Sequence, residues 1–315
     1  MEIVRGLDGF LEKVNVSSSS VTIGVFDGVH IGHRKIIDHL LKAKDEDGLE
    51  KSILLTFSNH PLTVTHPEMA PRLLTTLDEK LSLLDETGVD VVVVIDFTDE
   101  LSRKTYAEFV DEILLSGFRM KHLVLGYDFH LGRNREGSQQ RLIEYGMKRG
   151  FQVTVVPPVV SWGSAVSSTR IRRCILERRF SRVRRLLGRS FFFDAVVIRG
   201  SGVGRQLDFP TANLSVEDPM KLVPPDGVYA VNVEIDGRVF AGMMNIGLAP
   251  TIHQDSKRRV EVHIFDLSEE IYGKRVRIYV EAFIREEELF ADSSELVSRL
   301  KNDKEVVLEL LKKND

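Results

Sequence analysis

The chain has 315 residues, 43% of them hydrophobic and 29% charged, a globular composition that excludes a disordered or fibrous protein and at this length predicts two domains. Lys and Arg number 43 against 47 Asp and Glu, a net charge of −4, which argues against a generally basic nucleic-acid binder and leaves only local basic patches. One cysteine, Cys174, an acidic Met1-Glu2-Ile3-Val4-Arg5 start, and no apolar run near the roughly 20 residues of a membrane helix together predict a cytoplasmic protein.

In chain order, Val21-Thr22-Ile23 predicts a strand, and Ile36, Ile37, Leu40 and Leu41 mark a helix after it. Ile53 to Phe57 predicts the next strand, and the helical spacing of Leu77 to Leu84 ends at Gly88. Val91 to Ile95, Leu123 to Leu125 and Val153 to Val156 complete the strands, with helices near 105–115 and 137–149. Apolar strands alternating with helices predict a doubly wound parallel α/β sheet, whose ligands bind beyond the carboxyl ends of the strands. After residue 190 the rhythm changes. Phe191 to Ile198, Val228 to Ile235, Val239 to Met243, Val260 to Phe265 and Val276 to Phe283 leave little room for helices, and Asp236-Gly237 is a hairpin signal. An amphipathic helix over Ser293 to Leu311 ends the chain. The second half therefore predicts a small antiparallel β-barrel with a terminal helix, and the junction divides 1–187 from 188–315.

Four groups of residues carry chemistry. Gly24-Val25-Phe26-Asp27-Gly28-Val29-His30-Ile31-Gly32-His33 follows the first predicted strand and opens a helix. Glycines let phosphate approach the backbone, the helix start offers N–H groups, and imidazoles three residues apart share a side. A glycine turn with two surface histidines has the same spacing. Ser167-Ser168-Thr169-Arg170-Ile171-Arg172 puts hydroxyls at a helix start; they serve as caps, or with Arg170 and Arg172 they grip phosphates. Nine arginines between 170 and 189 against Glu177 read as a solvated face rather than as a nucleic-acid patch, since Phe180 alone interleaves them. Gly200, Gly202, Gly204 and Arg205 precede Phe209-Pro210-Thr211-Ala212-Asn213. No βαβ unit surrounds these glycines, so a flap over phosphate fits better than a dinucleotide fold. Thr211 and Asn213 are hard oxygen ligands suited to Mg2+. Glu261 and His263 alternate onto one strand face, the usual solvent side of a strand.

The first segment resembles the HxGH signature of nucleotidylyltransferases, and its GxFDGVHxGH form resembles the bacterial bifunctional riboflavin kinase/FMN adenylyltransferase (FAD synthetase) family. The resemblance implies a Rossmann-like adenylyltransferase domain in which His30 and His33, with Gly24, Phe26, Asp27 and Gly32, contact ATP. Ser167, Ser168, Thr169, Arg170 and Arg172 match the family's S-S-T-x-I-R segment at every fixed position. Pro210-Thr211-Ala212-Asn213 matches the riboflavin kinase hallmark, and its ATP site would use Gly200, Gly202, Gly204, Arg205, Pro210, Thr211 and Asn213. Glu261 takes by position the role of the base that deprotonates the ribityl hydroxyl, and Arg285 that of an arginine near the flavin. His60, in Asn59-His60-Pro61, and Asp128, in Gly126 to Gly132, match segments lining the FMN end of the adenylylation site. The implied substrates are ATP, riboflavin and FMN, the products FAD and pyrophosphate, and the cofactor Mg2+; no nucleic acid or membrane is implied, and the oligomeric state is left open. Two positions depart from the pattern: Asp208 replaces a glycine beside the expected triphosphate, and Leu131 replaces a phenylalanine. Two rivals remain. One is an adenylyltransferase whose barrel only binds flavin, which Asp208 suggests; the other is a flavin sensor or RNA-binding protein using the arginine run.

Overall fold

Three runs of β-branched and leucine residues build the centre of the first sheet. Strands β2 (Ser19–Ile23), β3 (Lys51–Phe57) and β4 (Val91–Ile95) are buried almost throughout, as expected of parallel strands covered on both faces. The computed structural model describes all residues except 9, 11–13, 201–208, 249–257, 289, 291 and 313–315. With β1 (Glu2–Arg5), β5 (Met120–Gly126) and β6 (Gln152–Val156), these strands form a six-stranded parallel sheet in the order β1-β4-β3-β2-β5-β6. Strand β1 escaped the sequence reading because it is an edge strand in which only Val4 is buried. The chain runs outward from β2 through β3 and β4, then returns to lay β5 on the other side of β2. The switch point therefore lies at the end of β2.

Helix α1 (Ile31–Glu46) buries Ile37, Leu40 and Ala43. Helix α2 (Leu77–Asp85) starts from a capping box in which the Thr76 hydroxyl accepts from Glu79 N and the Glu79 carboxylate accepts from Thr76 N. The helix expected near 105–115 is π-helical over Phe109–Gly117, and α3 (Gln139–Arg149) ends at left-handed Gly150; a short antiparallel pair, β7 (Val160–Ser161) and β8 (Ser164–Ala165), follows β6.

The chain divides into two units, Met1–Ser168 and Thr169–Asp315. In the second, α4 (Ser168–Leu176) and α5 (Phe180–Leu187) precede β9 (Phe191–Ile198), β10 (Ala212–Ser215), β11 (Gly227–Ile235), β12 (Arg238–Leu248), β13 (Arg258–Ile264) and β14 (Arg275–Arg285). Strands β9 to β14 close into a barrel in the order β10-β13-β12-β11-β14-β9; each recorded pairing is antiparallel. The terminal helix α6 (Ser293–Lys312) packs Val307 and Leu311 against Val228, Ala230, Met243 and Phe265. Among the described residues no helix is long and apolar enough to cross a membrane.

Candidate active sites

The parallel sheet brings the loops after β3, β2 and β5 to one edge, and these loops carry His60, His30 with His33, and Asp128. The loop after β2 lies at the switch point, where an α/β sheet opens a crevice. Its backbone is strained: Phe26, Gly28 and Val29 have φ of 51°, 85° and 37°, and a β-branched residue at positive φ is a true outlier. Phe26 and Val29 are nevertheless buried. Asp27 holds the loop from beneath. Its buried carboxylate accepts from Leu74 N (3.2 Å), Thr75 N (3.0 Å) and Thr75 Oγ1 (3.3 Å), and Gly28 N donates to Thr75 Oγ1 at 3.0 Å. The Ser168 hydroxyl donates to the Asp27 carbonyl at 2.9 Å. Asp27 and Ser168 thus shape the loop, which gives each a structural function beside any contact with nucleotide.

His30 is the N-cap of α1, with Nδ1 accepting from His33 N at 3.2 Å. An accepting Nδ1 places the neutral ring's proton on Nε2, so in this arrangement His30 donates through Nε2 rather than acting as an imidazolium. The two rings stack at 3.6 Å with 14° between planes, and the Phe26 edge meets His33 at 5.2 Å. Gly32 leaves room for the stack: a Cβ there would come within 3.1 Å of the His30 ring and press it aside. His30 is buried and His33 half-buried, so the reading of two surface histidines on a glycine turn fails.

His60 is half-buried, its Nδ1 accepting from Leu62 N, and Asp128 is exposed. Leu131 is buried in the sheet's core, so its packing partners are core side chains. Ser167 and Ser168 precede and open α4, while Thr169, Arg170 and Arg172 continue that helix in the second unit. Within the arginine run, Arg173 and Arg179 pair with Glu177, Arg178 with Glu286 and Arg184 with Glu281.

Lys80, on α2, went unnoticed in the sequence. Its buried ammonium donates to Val25 O (3.2 Å), Thr56 Oγ1 (3.0 Å) and Phe57 O (2.8 Å). Burial pushes it down to about 8, with the Asp27 charge opposing. The available signal was a lysine on the apolar side of a helical pattern, beside Leu81 and Leu84.

In the barrel, register builds the second site. Asn213 on β10 lies opposite Glu261 on β13, and Glu261 lies opposite Asn245 on β12. Directly paired residues share a face, so the three side chains form one polar row. The Thr211 hydroxyl reaches the Glu261 carboxylate at 3.5 Å. His263 is also on this face, but it is buried, with its Nδ1 hydrogen-bonded to Pro210 O at 2.8 Å. The face is thus no simple solvent side, and His263 fastens the Pro210-Thr211-Ala212-Asn213 segment to β13. Asn245, which the sequence reading missed, donates to Glu287 Oε1 at 3.1 Å. The Arg285 guanidinium pairs with buried Asp303 of α6 at 2.8 Å and lies near Phe290. Gly200 packs its backbone on the Asn213 amide, where a Cβ would overlap. Gly202, Gly204, Arg205 and Asp208 lie outside the described residues. Among the described residues no group of three or more His, Cys, Asp and Glu side chains is placed to hold a metal. The Thr211 and Asn213 oxygens instead form a hard, sparse donor set, which suits a magnesium ion that keeps most of its waters.

A family model described as FAD synthetase matches residues 12–170, and one described as riboflavin kinase matches 187–311. The chain is 36% identical to the bifunctional riboflavin kinase/FMN adenylyltransferase of Pseudomonas fluorescens, covering 96% of each chain. It is 33% identical to the protein of that name from Escherichia coli K12, again over 96% of each. The chain belongs to the bifunctional riboflavin kinase/FMN adenylyltransferase family. A crystal structure described as a macrolide-efflux protein from Streptococcus pneumoniae superposes with a TM-score of 0.86 at 30% identity, covering 98% of this chain and 99% of that one.

Proposed function

We propose that this protein phosphorylates riboflavin to FMN and then adenylylates FMN to FAD, each step using ATP. The observation that carries the reading is that both halves match, each by its own family model and over nearly the full length of the bifunctional relatives. We assign phosphorylation to residues 188–315 and adenylylation to 1–187. The low cysteine content fits action in the cytoplasm.

In the barrel, Glu261 takes the proton of the ribityl terminal hydroxyl as that oxygen attacks the γ-phosphorus. The bond from the γ-phosphorus to the β,γ-bridging oxygen breaks and ADP leaves. Magnesium, when bound, neutralises phosphate charge, and Thr211 and Asn213 are the residues that would hold it. Asn245 sits opposite Glu261 on the neighbouring strand, its amide held by Glu287. Gly200 and Pro210 contribute to the phosphate site. Arg285, held rigid by Asp303, forms a wall on the flavin side. Positioning and charge neutralisation supply most of the rate in such transfers.

In the sheet unit, an FMN phosphate oxygen attacks the α-phosphorus of ATP, the bond to the bridging oxygen breaks, and pyrophosphate leaves. The attacking phosphate is already a nucleophile, so no covalent enzyme intermediate is needed. His30 and His33 donate to phosphate oxygens rather than act as bases, at a helix start whose N–H groups add positive potential. Gly24, Phe26, Asp27 and Gly32 shape that loop, Ser167 and Ser168 contribute the second phosphate contact, and His60 and Asp128 line the FMN end.

Purified protein incubated with riboflavin, ATP and Mg2+ should yield FMN and then FAD on chromatography; riboflavin returned unmodified would overturn the reading. His30→Ala should abolish FAD while leaving FMN formation within a few fold. Loss of both activities in a folded variant would refute the assignment of the two steps to two sites.

A further inference from the structure

We propose that Lys80 is a positioning residue for adenylylation, its buried ammonium tying the end of β2 to the end of β3 and so holding the loop that carries His30 and His33. The proposal rests on the adenylylation reading. The loop needs restraint, because Phe26 and Val29 are non-glycine residues at positive φ, and such backbone persists only where its surroundings over-determine it. Much of that restraint comes from one stretch of chain. Leu74 N and Thr75 N with its hydroxyl donate to the Asp27 carboxylate, and the Thr75 hydroxyl also accepts from Gly28 N. Lys80 donates to Val25 O, the carbonyl just before the strained run. The Thr76–Glu79 capping box fixes the helix turn from which Lys80 projects.

Lys80 does more than fill space beneath the loop. Its other two acceptors, Thr56 Oγ1 and Phe57 O, belong to the end of β3, and the loop that follows carries His60. The Thr56 hydroxyl itself donates to Val25 O at 3.2 Å. One cation thus sets the spacing between the loop assigned to ATP phosphates and the loop assigned to FMN. An error of about an ångström in such spacing is felt in the transition state, with rate losses on the order of a hundredfold. A buried lysine that served only stability would leave the turnover of folded molecules unchanged.

The test uses the full chain, wild type and Lys80→Met, assayed separately for FMN adenylylation and riboflavin phosphorylation. Unfolding is followed by the fluorescence of Trp162, the only tryptophan, which lies in the first unit. At a temperature where Trp162 reports a folded unit, Lys80→Met should lower the adenylylation kcat about 30-fold or more, with KM for ATP within about threefold and phosphorylation within about twofold. An adenylylation kcat within about twofold of wild type, per folded molecule, overturns the proposal. Should Lys80→Met not fold, Thr56→Val decides: a several-fold fall in kcat at constant KM supports the positioning role, and an unchanged kcat overturns it. A wild-type chain that forms no FAD overturns the adenylylation reading itself, an outcome separate from equal kcat values in wild type and variant.

Discussion

A lysine taken into a protein core loses its hydration and keeps its charge only where oxygen atoms replace the lost water. Lys80 has three such oxygens, yet burial still draws it from the usual lysine range to about 8, against the pull of Asp27. The folded state therefore releases this proton before the unfolded chain does. Between pH 8 and about 10.5 the unfolded state binds more protons, so this group's contribution to stability rises with pH. Activity should move the opposite way. Adenylylation should decline as pH passes about 8, because a neutral amine loses one donor, and the Trp162 transition should not fall in parallel; in Lys80→Met that limb of the pH profile should vanish. Glu261 gives a second prediction at this scale. Glu261→Gln keeps the shape and removes the proton acceptor, so phosphorylation should slow by roughly 10²–10⁴ while FMN adenylylation stays intact, as separate assays with riboflavin and with FMN would show. The histidine pair stood out in the sequence by spacing, and Glu261 only through the family resemblance. Lys80 and Asn245 did not stand out, because each depends on burial or strand register that only the fold supplies.

Elements were legible where their hydrophobic pattern was unambiguous. The central strands β2 to β4 read clearly because both faces are covered, and the terminal helix read clearly from its apolar stripe. The edge strand β1 and the short β10 did not, since one has a single buried residue and the other continues the Pro210-Thr211-Ala212-Asn213 motif as four residues with one buried. The attachment of α6 was equally hidden. Arg285 read as a flavin neighbour by resemblance, and nothing in that reading pointed to its pairing with Asp303, which also lies 3.6 Å from Arg299 Nε, while Arg299 bonds Glu288. Breaking such a buried pair from one side leaves a charge without compensation and costs about 3–5 kcal/mol. Asp303→Ala should therefore lower the barrel's unfolding temperature by several degrees and weaken phosphorylation, with adenylylation unchanged. A variant whose calorimetric trace matches wild type would show that α6 is held by Val307 and Leu311 alone.

At the scale of the whole molecule, two activities on one chain ask where each folding unit stops. The change in sequence rhythm predicts a junction at 187/188, where strands begin to follow one another closely, whereas the packed units divide between Ser168 and Thr169. Packing adds a physical consideration that rhythm does not reveal. Helix α5 buries Phe180, Val183, Leu186 and Leu187 and lies on β9 and β14, with the Phe180 ring edge-on to Tyr229 at 5.7 Å. Four buried apolar side chains correspond to an upper estimate of about 6–12 kcal/mol of hydrophobic stabilisation, comparable with the total stability of a domain this size. A fragment spanning 169–315 should therefore fold cooperatively and phosphorylate riboflavin. One spanning 188–315 should be strongly destabilised or bind hydrophobic dyes, although it keeps Thr211, Asn213 and Glu261. Comparing the two by denaturant unfolding and kinase assay decides the matter. Equal midpoints would mean that α5 adds nothing to the barrel, and that the kinase folds as a unit from the first barrel strand onward.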